Sequence, residues 1–585
     1  MVNRRALLAA LVALAAPAPA AAACQVSRLL ELPVTMVGQR PMVTARFGGK
    51  EARFILDSGA FHSTMSRASA AELGLRVEPA PPNFRLRGIG GDTSAGVAVA
   101  RNVSLAGITI PRTDFIVGGS DTGTAGLLGQ NILGLADVEY DLPHGVVRLM
   151  KTADCRKANL AYWAGTRPVT MLALEDRQTG AFKPHTIATV LINGSKVRAV
   201  FDTGAPSSLL SLAAAKRLGV TPDTPGVVPA SVSSGLGTRR IPSWLATFAS
   251  IDIGGEVASR PRTHIADVDF SNADMVIGAD FFLTHRIFVS NAAQTMFLTY
   301  EGGPMFGLTP RRAVTPEGKA LDLTDRSAEP TDAEGYSRRG AVLAANRRLE
   351  QALADFDKAC ALSPGEARYF RQRAMARLAN RQPILARADL DRAITLSPKD
   401  ADARLTRAGL RLGDGDRQGA ADDLAAADAA LPPTSDRRLH LAALDNGADR
   451  HDAALVNYDL WLKSHPEDSS RPTALNGRCW ARALLNRELD KALSDCNAAL
   501  RQSPGNPAFL DSRALVRLRR GDLKEALADY DRAIAGSPRN PWSLYARSVA
   551  EQRAGMAQQS AVDRAAALAI DPHVTDQAKR AGLEG

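Results

Sequence analysis

Two carboxylates stand out in this 585-residue chain because their surroundings match. Phe54-Ile55-Leu56-Asp57-Ser58-Gly59-Ala60 recurs, 145 residues on, as Ala199-Val200-Phe201-Asp202-Thr203-Gly204-Ala205. Each is an apolar strand that runs into Asp, then a hydroxyl residue, then Gly. One such Asp is a turn. Two in the same wider pattern suggest carboxyls brought face to face across a pseudo-twofold axis. Carboxyls a hydrogen bond apart cannot both ionise cheaply, so they hold one proton between them. The ionised member then takes a proton from water, and the protonated one donates to the carbonyl oxygen of an amide.

The elements needed to position such a pair repeat as well. Pro41 to Phe47 alternates as a strand, Gly48-Gly49 turns it, and Ala52 to Leu56 returns. In the second half His185 to Ile192 is the strand, Asn193-Gly194 the turn and Val197 to Phe201 the return. A short helix follows each Asp: Ser66 to Leu73 stops at Gly74, and Ser211 to Leu218 stops at Gly219. A glycine-bearing loop comes next in both halves, with Gly88, Ile89, Gly90 and Gly91 in the first and Gly235 and Gly237 in the second. The units close with Leu127-Leu128-Gly129 and Val276-Ile277-Gly278, then a final strand, Gly145 to Met150 and Thr295 to Tyr300.

This ordered set resembles the retropepsin-like aspartic proteases, in particular bacterial envelope members carrying two such lobes in one chain, and covers roughly residues 30 to 300. The resemblance implies two all-β lobes in tandem, 24–155 and 168–300. It implies Asp57 and Asp202 as the catalytic pair, Ser58 and Thr203 as hydroxyls bracing the two loops, and Gly59 and Gly204 as the tight backbone there. The glycine loops would be flaps over an extended peptide. The implied activity is an aspartic endopeptidase needing no cofactor and no metal. The chain carries no His-Glu-x-x-His run, no close His/Cys cluster and no Gly-x-Ser-x-Gly elbow. Asp121-Thr122-Gly123 also fits the bare triplet, but Gly118-Gly119-Ser120 precedes it where an apolar strand is needed, so it reads as a turn.

The second half of the chain is a counted repeat. Pro364, Pro398, Pro432, Pro466, Pro504, Pro538 and Pro572 are 34 residues apart, with one step of 38 after Pro466. Twelve residues before them stands a small residue, from Ala352 to Ser560. Eight before stands a large one in most units, such as Phe356, Tyr458 and Tyr530. Small residues where helices cross and Pro ending each pair describe stacked helical hairpins. This is similar to the tetratricopeptide repeat, seven units over 333–572 with a tail at 573–585. The four extra residues fall in the polar stretch Glu467 to Pro472. Such arrays ordinarily bind peptide or protein segments on their concave face. Residues 301–332, rich in Gly, Pro and charge, read as a partly flexible linker that would let the orientation of the two halves vary.

Met1 to Arg5 is basic, Ala6 to Ala16 apolar and Pro17 to Ala23 small, the pattern of a secretory signal peptide over 1–23. The expected location is the periplasm, where disulfides persist. Two fates compete for Cys24: a bridge to Cys155 across the first lobe, or lipidation that would anchor the protein to a membrane surface. Cys479 and Cys496 face each other on the two helices of one repeat and form a second candidate bridge. The net charge of +10 comes from 72 basic against 62 acidic residues and is spread along the helices. No basic block with interleaved aromatics is present, which argues against a nucleic-acid partner, and membrane attraction would be weak unless Cys24 is lipidated. The expectation is an exported endopeptidase whose repeats recruit a protein substrate or partner. Its competitor is a non-catalytic envelope scaffold that holds peptides with both halves.

Overall fold

A computed structural model describes residues 24–583 apart from 82–83, 85, 89–90, 120–122, 157, 176–185, 231–240, 271, 304 and 307–328. The expected leader 1–23, His185, Ile89 and Gly90, the second glycine loop with Gly235 and Gly237, Asp121-Thr122 and most of the linker lie outside the described residues.

Each lobe starts from a hairpin whose turn chemistry dictates its geometry. Strands Arg40–Phe47 and Lys50–Leu56 are joined at Gly48-Gly49, with φ of 55° and 87°. Strands Ile187–Ile192 and Ser195–Phe201 are joined at Asn193-Gly194, with φ of 51° and 78°. Two successive positive φ values are what a two-residue hairpin turn needs to match strand twist. The helices after each Asp, Arg67–Glu72 and Leu212–Arg217, begin one residue later than the sequence suggests. Ser66 and Ser211 serve as N-caps, their hydroxyls accepting from Ser69 N and Ala214 N.

The first lobe is an eight-stranded sheet that closes on itself through pairing of Arg40–Phe47 with Gly96–Leu105. The second is a nine-stranded sheet. In both, the returning hairpin strand lies parallel to a short closing strand, Leu56 opposite Leu128 of Gly126–Leu128 and Phe201 opposite Ile277 of Met275–Ile277. A third, six-stranded sheet takes three strands from each lobe and joins them where Asp137–Asp141 pairs with His285–Ser290. Glu139 is fully buried at this joint and accepts from Arg148 (2.6 Å) and from Arg286 (2.6 and 2.9 Å), one guanidinium from each lobe. A buried carboxylate paired from both sides ties the lobes together, because losing either partner strands a charge.

Seven helix pairs follow, from Ala333–Ala345 with Leu349–Leu362 to Pro541–Arg553 with Ala557–Ile570. In six of them an Arg of the first helix forks onto a buried Asp of the second: Arg339–Asp355, Arg373–Asp389, Arg407–Asp423, Arg478–Asp495, Arg513–Asp529 and Arg547–Asp563. Leu441 and Asn457 occupy these positions in the fourth pair, where Arg438 and Asp445 bond to Asn457 instead. The residues expected as a tail form a further helix, Val574–Arg580, because Val574, Ala578 and Leu583 cover the open apolar end of the array.

Most of the expected linker lies outside the described residues, but the halves it joins are in contact. Ala341, Val342, Leu343 and Phe356 of the first helix pair share one buried cluster with Leu32, Val34, Leu142 and Phe282 of the lobes. That shared burial packs the first repeat against the strand Thr35–Val37 and the turn Leu142–His144 of the first lobe. The array then runs across the first lobe. Arg437 donates to Gly123 O (2.8 Å), and Glu467, in the stretch that breaks the 34-residue period, accepts from Thr93 (2.6 Å) and from Ser94.

Candidate active site

Asp57 and Asp202 stand at the ends of equivalent strands, each held by a backbone bond from the closing strand: Asp57 N to Leu128 O (3.0 Å) and Asp202 N to Ile277 O (2.9 Å). The residues after them exchange four hydrogen bonds. Ser58 N donates to Thr203 Oγ1 (3.0 Å) and Thr203 N to Ser58 Oγ (2.9 Å). Thr203 Oγ1 donates to Leu56 O (2.7 Å) and Ser58 Oγ to Phe201 O (3.0 Å). Both hydroxyls are buried and fully used, so each loop fixes the other. Ser at 58 and Thr at 203 serve alike, since the hydroxyl alone does the work.

The two carboxyls converge on one amide, Gly59 N, which donates to an oxygen of each. Asp57 is 8 % exposed, while Asp202 is less deeply buried. Asp57 Oδ1 accepts from Gly59 N (2.9 Å) and Ala60 N (2.7 Å), and Asp202 Oδ1 from Gly204 N (2.8 Å) and Gly59 N (3.2 Å). Burial, then the Asp202 charge and the bond to it, push the Asp57 carboxyl well above the usual carboxylate range, against the opposing pull of those amides. The pair can therefore hold one proton between two oxygens aimed at a common point.

A second symmetric layer supports these loops, and the sequence reading missed it. Ser63 N and Oγ donate to Asn131 Oδ1 (2.7 and 2.8 Å) while Ser63 Oγ accepts from Gly129 N (3.0 Å). Ser208 does the same with Asp280 Oδ1 (2.9 and 2.8 Å) and Gly278 N (3.0 Å). A Cβ on Gly129 would meet Ala60 O and His62 O at 2.8 Å, which is why both closing segments end in glycine. The signal was available: Ser63 and Ser208 lie six residues past their Asp, and Asn131 and Asp280 two residues past the closing Gly.

Of the expected flap residues, Gly88 and Gly91 face each other at the tip of the hairpin Leu86–Gly88 and Gly91–Thr93. Gly123, the described member of the Asp121-Thr122-Gly123 triplet, lies in a bend with φ 73°. Cys24 is bonded to Cys155 and Cys479 to Cys496, and Cys360 is free and buried.

The aspartyl protease family matches two tandem regions, residues 43–132 and 188–281, each containing one of the Asp-hydroxyl-Gly loops. No curated protein matches the chain. Among solved structures it is similar to a chain of the APC/C hetero-tetramer Cut9-Hcn1 (14% identity, 43% of this chain and 50% of that one, TM-score 0.32). It is also similar to PilW, a type IV pilus biogenesis factor (18%, 35% and 94%, 0.30), and to a tetratricopeptide repeat protein from Parabacteroides merdae ATCC 43184 (14%, 43% and 98%, 0.35). The chain spans half the length of the first of these.

Proposed function

We propose that this protein is an exported aspartic endopeptidase in which Asp57 and Asp202 of one chain hydrolyse peptide bonds through an activated water. The observation that carries the reading is the convergence of the two carboxyls on the Gly59 amide, on loops locked by reciprocal Ser58 and Thr203 bonds. Asp57, raised by burial beside Asp202, is the proton donor to the scissile carbonyl oxygen. Asp202 takes a proton from the attacking water. In the collapse of the tetrahedral intermediate Asp202 gives its proton to the departing amine nitrogen while one hydroxyl of the gem-diol returns a proton to Asp57 as the carbonyl re-forms, so the pair again holds one shared proton. Because each half of the site comes from one lobe, no second chain is required. The Cys24–Cys155 and Cys479–Cys496 bridges favour an oxidising compartment such as the periplasm. The helical array, packed against the first lobe, would present protein substrates or a partner to the cleft.

The test is incubation of full-length mature protein with a diverse peptide library from mildly acid to neutral pH, read by mass spectrometry. Cleavage that survives a chelator and a serine-directed reagent but is lost in Asp57→Asn and in Asp202→Asn supports the reading. Peptide binding without cleavage under all conditions would replace it with a non-catalytic scaffold.

A further inference from the structure

Gln130 brackets the loop that carries Asp57. Its backbone N donates to Ala60 O (2.9 Å) and its side-chain Nε2 to Ser58 O (2.7 Å), one residue on either side of Gly59. The side chain is 3 % exposed and lies over the end of the short helix Gln130–Leu133, where a Cβ on Gly134 would stand 3.2 Å from its Oε1. Ser58 O and Gly59 N belong to one peptide group, and Gly59 N is the amide that both carboxyls share: it donates to Asp57 Oδ1 (2.9 Å) and to Asp202 Oδ1 (3.2 Å). A donor on the carbonyl of a peptide polarises the group and makes its N–H a stronger donor in turn. The bonds from Gln130 through Ser58–Gly59 to the carboxyls therefore all run in one direction.

The second lobe keeps only half of this bracket. Ala279 stands directly after the closing glycine, as Gln130 does, and its backbone N donates to Ala205 O (2.8 Å) in the same way. Alanine has no side-chain donor to offer Thr203 O. Gly204 N, in that lobe, donates to Asp202 Oδ1 (2.8 Å). The pseudo-twofold symmetry of the loops is thus broken at this position, on the side of the more deeply buried acid, Asp57.

We propose that Gln130 is a positioning residue for peptide cleavage: by backing the Ser58–Gly59 peptide it strengthens the amide that both carboxyls share, and so favours the pair with one proton over the pair with two. The inference rests on the proteolytic reading and adds to it a residue outside the Asp-hydroxyl-Gly loops. Negative charge on either carboxyl meets the same amide, so removing the backing donor makes the first proton harder to lose, and the second as well. The titratable groups around the pair come from three elements. Asp202 faces Asp57 from the opposite loop and holds its carboxyl up, after burial. His62 is on the loop itself, its ring held below the ordinary value by burial, and Asp280 is in the closing segment of the second lobe, bonded to Ser208. A neutral substitution at 130 changes none of these charges.

The pH dependence of cleavage by full-length protein tests the proposal, with the acid and alkaline limbs of kcat/KM as readout. Gln130→Met keeps the length of the side chain and removes the donor. Both limbs should move up by roughly half a pH unit, so that the rate on the acid flank falls about threefold. Gln130→Arg, which brings a permanently charged donor, should move both limbs down. Shifts in these opposite directions uphold the proposal. Limbs that stay in place in folded Gln130→Met, with only the rate or the melting midpoint lowered, overturn it and leave proteolysis standing, since Gln130 would then do no more than satisfy Ser58 O. A second readout needs no turnover. The pH at which the melting midpoint bends away from that of Asp57→Asn reports ionisation of the pair. It should rise in Gln130→Met, because stability held by the bound proton is lost only as pH passes the higher folded value. If wild type cleaves nothing, a raised bend upholds the action of Gln130 on the pair and rejects the protease, and an unmoved bend rejects both. Should Gln130→Met fold poorly by circular dichroism, Gln130→Arg decides alone: lowered limbs or a lowered bend uphold the proposal, and unmoved ones overturn it.

Discussion

Gly59 and Asp202 share one volume: a Cβ on Gly59 would lie 2.5 and 2.7 Å from the two carboxylate oxygens of Asp202. The relationship is mirrored, since a Cβ on Gly204 would lie 2.8 Å from Asp57 Oδ1. Each glycine is therefore the floor under the opposite carboxyl. Approach of the two acids to hydrogen-bonding distance depends on both side chains being absent.

Gly59→Ala and Gly204→Ala should each cost at least a hundredfold in peptide cleavage, because the added methyl pushes the facing carboxyl out of line. Overpacking of this kind costs about 1–3 kcal/mol. Thermal melts should show a folded protein with a modestly lowered midpoint. Activity within a fewfold of wild type in either variant would contradict the proposed pair.

The raised Asp57 carboxyl makes a sign-specific prediction about pH. A carboxyl whose folded value lies above its unfolded one binds more protons in the native state across that interval. Its contribution to stability is fully present below the unfolded value near 3.8 and is lost as pH rises through the folded value. Asp57→Asn, which cannot ionise, should remove this slope and raise the melting midpoint at neutral pH relative to wild type, while abolishing cleavage. Wild-type cleavage should fail on the alkaline side as Asp57 loses its proton. Parallel melts of both proteins from acid to neutral pH check it. Curves that stay parallel would mean the carboxyls are not coupled.

The loops of the site were legible in the sequence because their constraint is local: an apolar strand, an Asp, a hydroxyl and a Gly must stand in that order, twice. The hairpin turns, the helix stops at Gly74 and Gly219 and the 34-residue helical period are local in the same sense. What escaped was the docking between units. The Glu139–Arg148–Arg286 knot links residues 147 apart in sequence, and Arg437 reaches a carbonyl 314 residues away. Nothing in composition or period announces such pairs. The packing of the first helix pair onto the lobes was hidden for the same reason, since its apolar face looks like any other repeat face. The Arg–Asp forks were a missed local signal: six recur at a spacing of 16 or 17 residues and needed only to be counted.

Ser58→Ala and Thr203→Val test the reciprocal lock between the loops. Thr203→Val leaves Ser58 N and Leu56 O without their buried partner, and Ser58→Ala does the same to Thr203 N and Phe201 O. An unsatisfied buried group costs about 1–3 kcal/mol, so each variant should melt earlier and cleave more slowly. The double variant should lose less than the sum of the singles, because the bonds form one network. Strict additivity in denaturant titrations would show that the hydroxyls act independently.

Glu467 holds the base of the hairpin Leu86–Gly88 and Gly91–Thr93 from the solenoid side through Thr93 and Ser94, and, against partial burial, those bonds and the nearby Arg67 keep its carboxyl below the usual range. Glu467→Gln should loosen this contact. Hydrogen exchange across residues 91–96 should speed up severalfold, with the helices around Leu475 unchanged. Unchanged exchange at the base of this hairpin would mean that the array does not restrain it.

The two bridges predict a redox dependence that also reports on compartment and anchoring. The Cys24–Cys155 bond closes 131 residues and Cys479–Cys496 closes 17. On loop-closure entropy alone they contribute about 5 and about 3 kcal/mol. Reduction should therefore lower the unfolding midpoint of the lobes more than that of the array. Cys155→Ser should reproduce the larger effect and Cys496→Ser the smaller. Non-reducing peptide mapping of protein recovered from the cell envelope identifies the native state of each thiol. A cross-linked Cys24–Cys155 peptide fits a protein free in an oxidising compartment. A diacylglyceryl-modified Cys24 beside an alkylatable Cys155 would reject the first bridge, remove its share of the stability and place the lobes on a membrane surface.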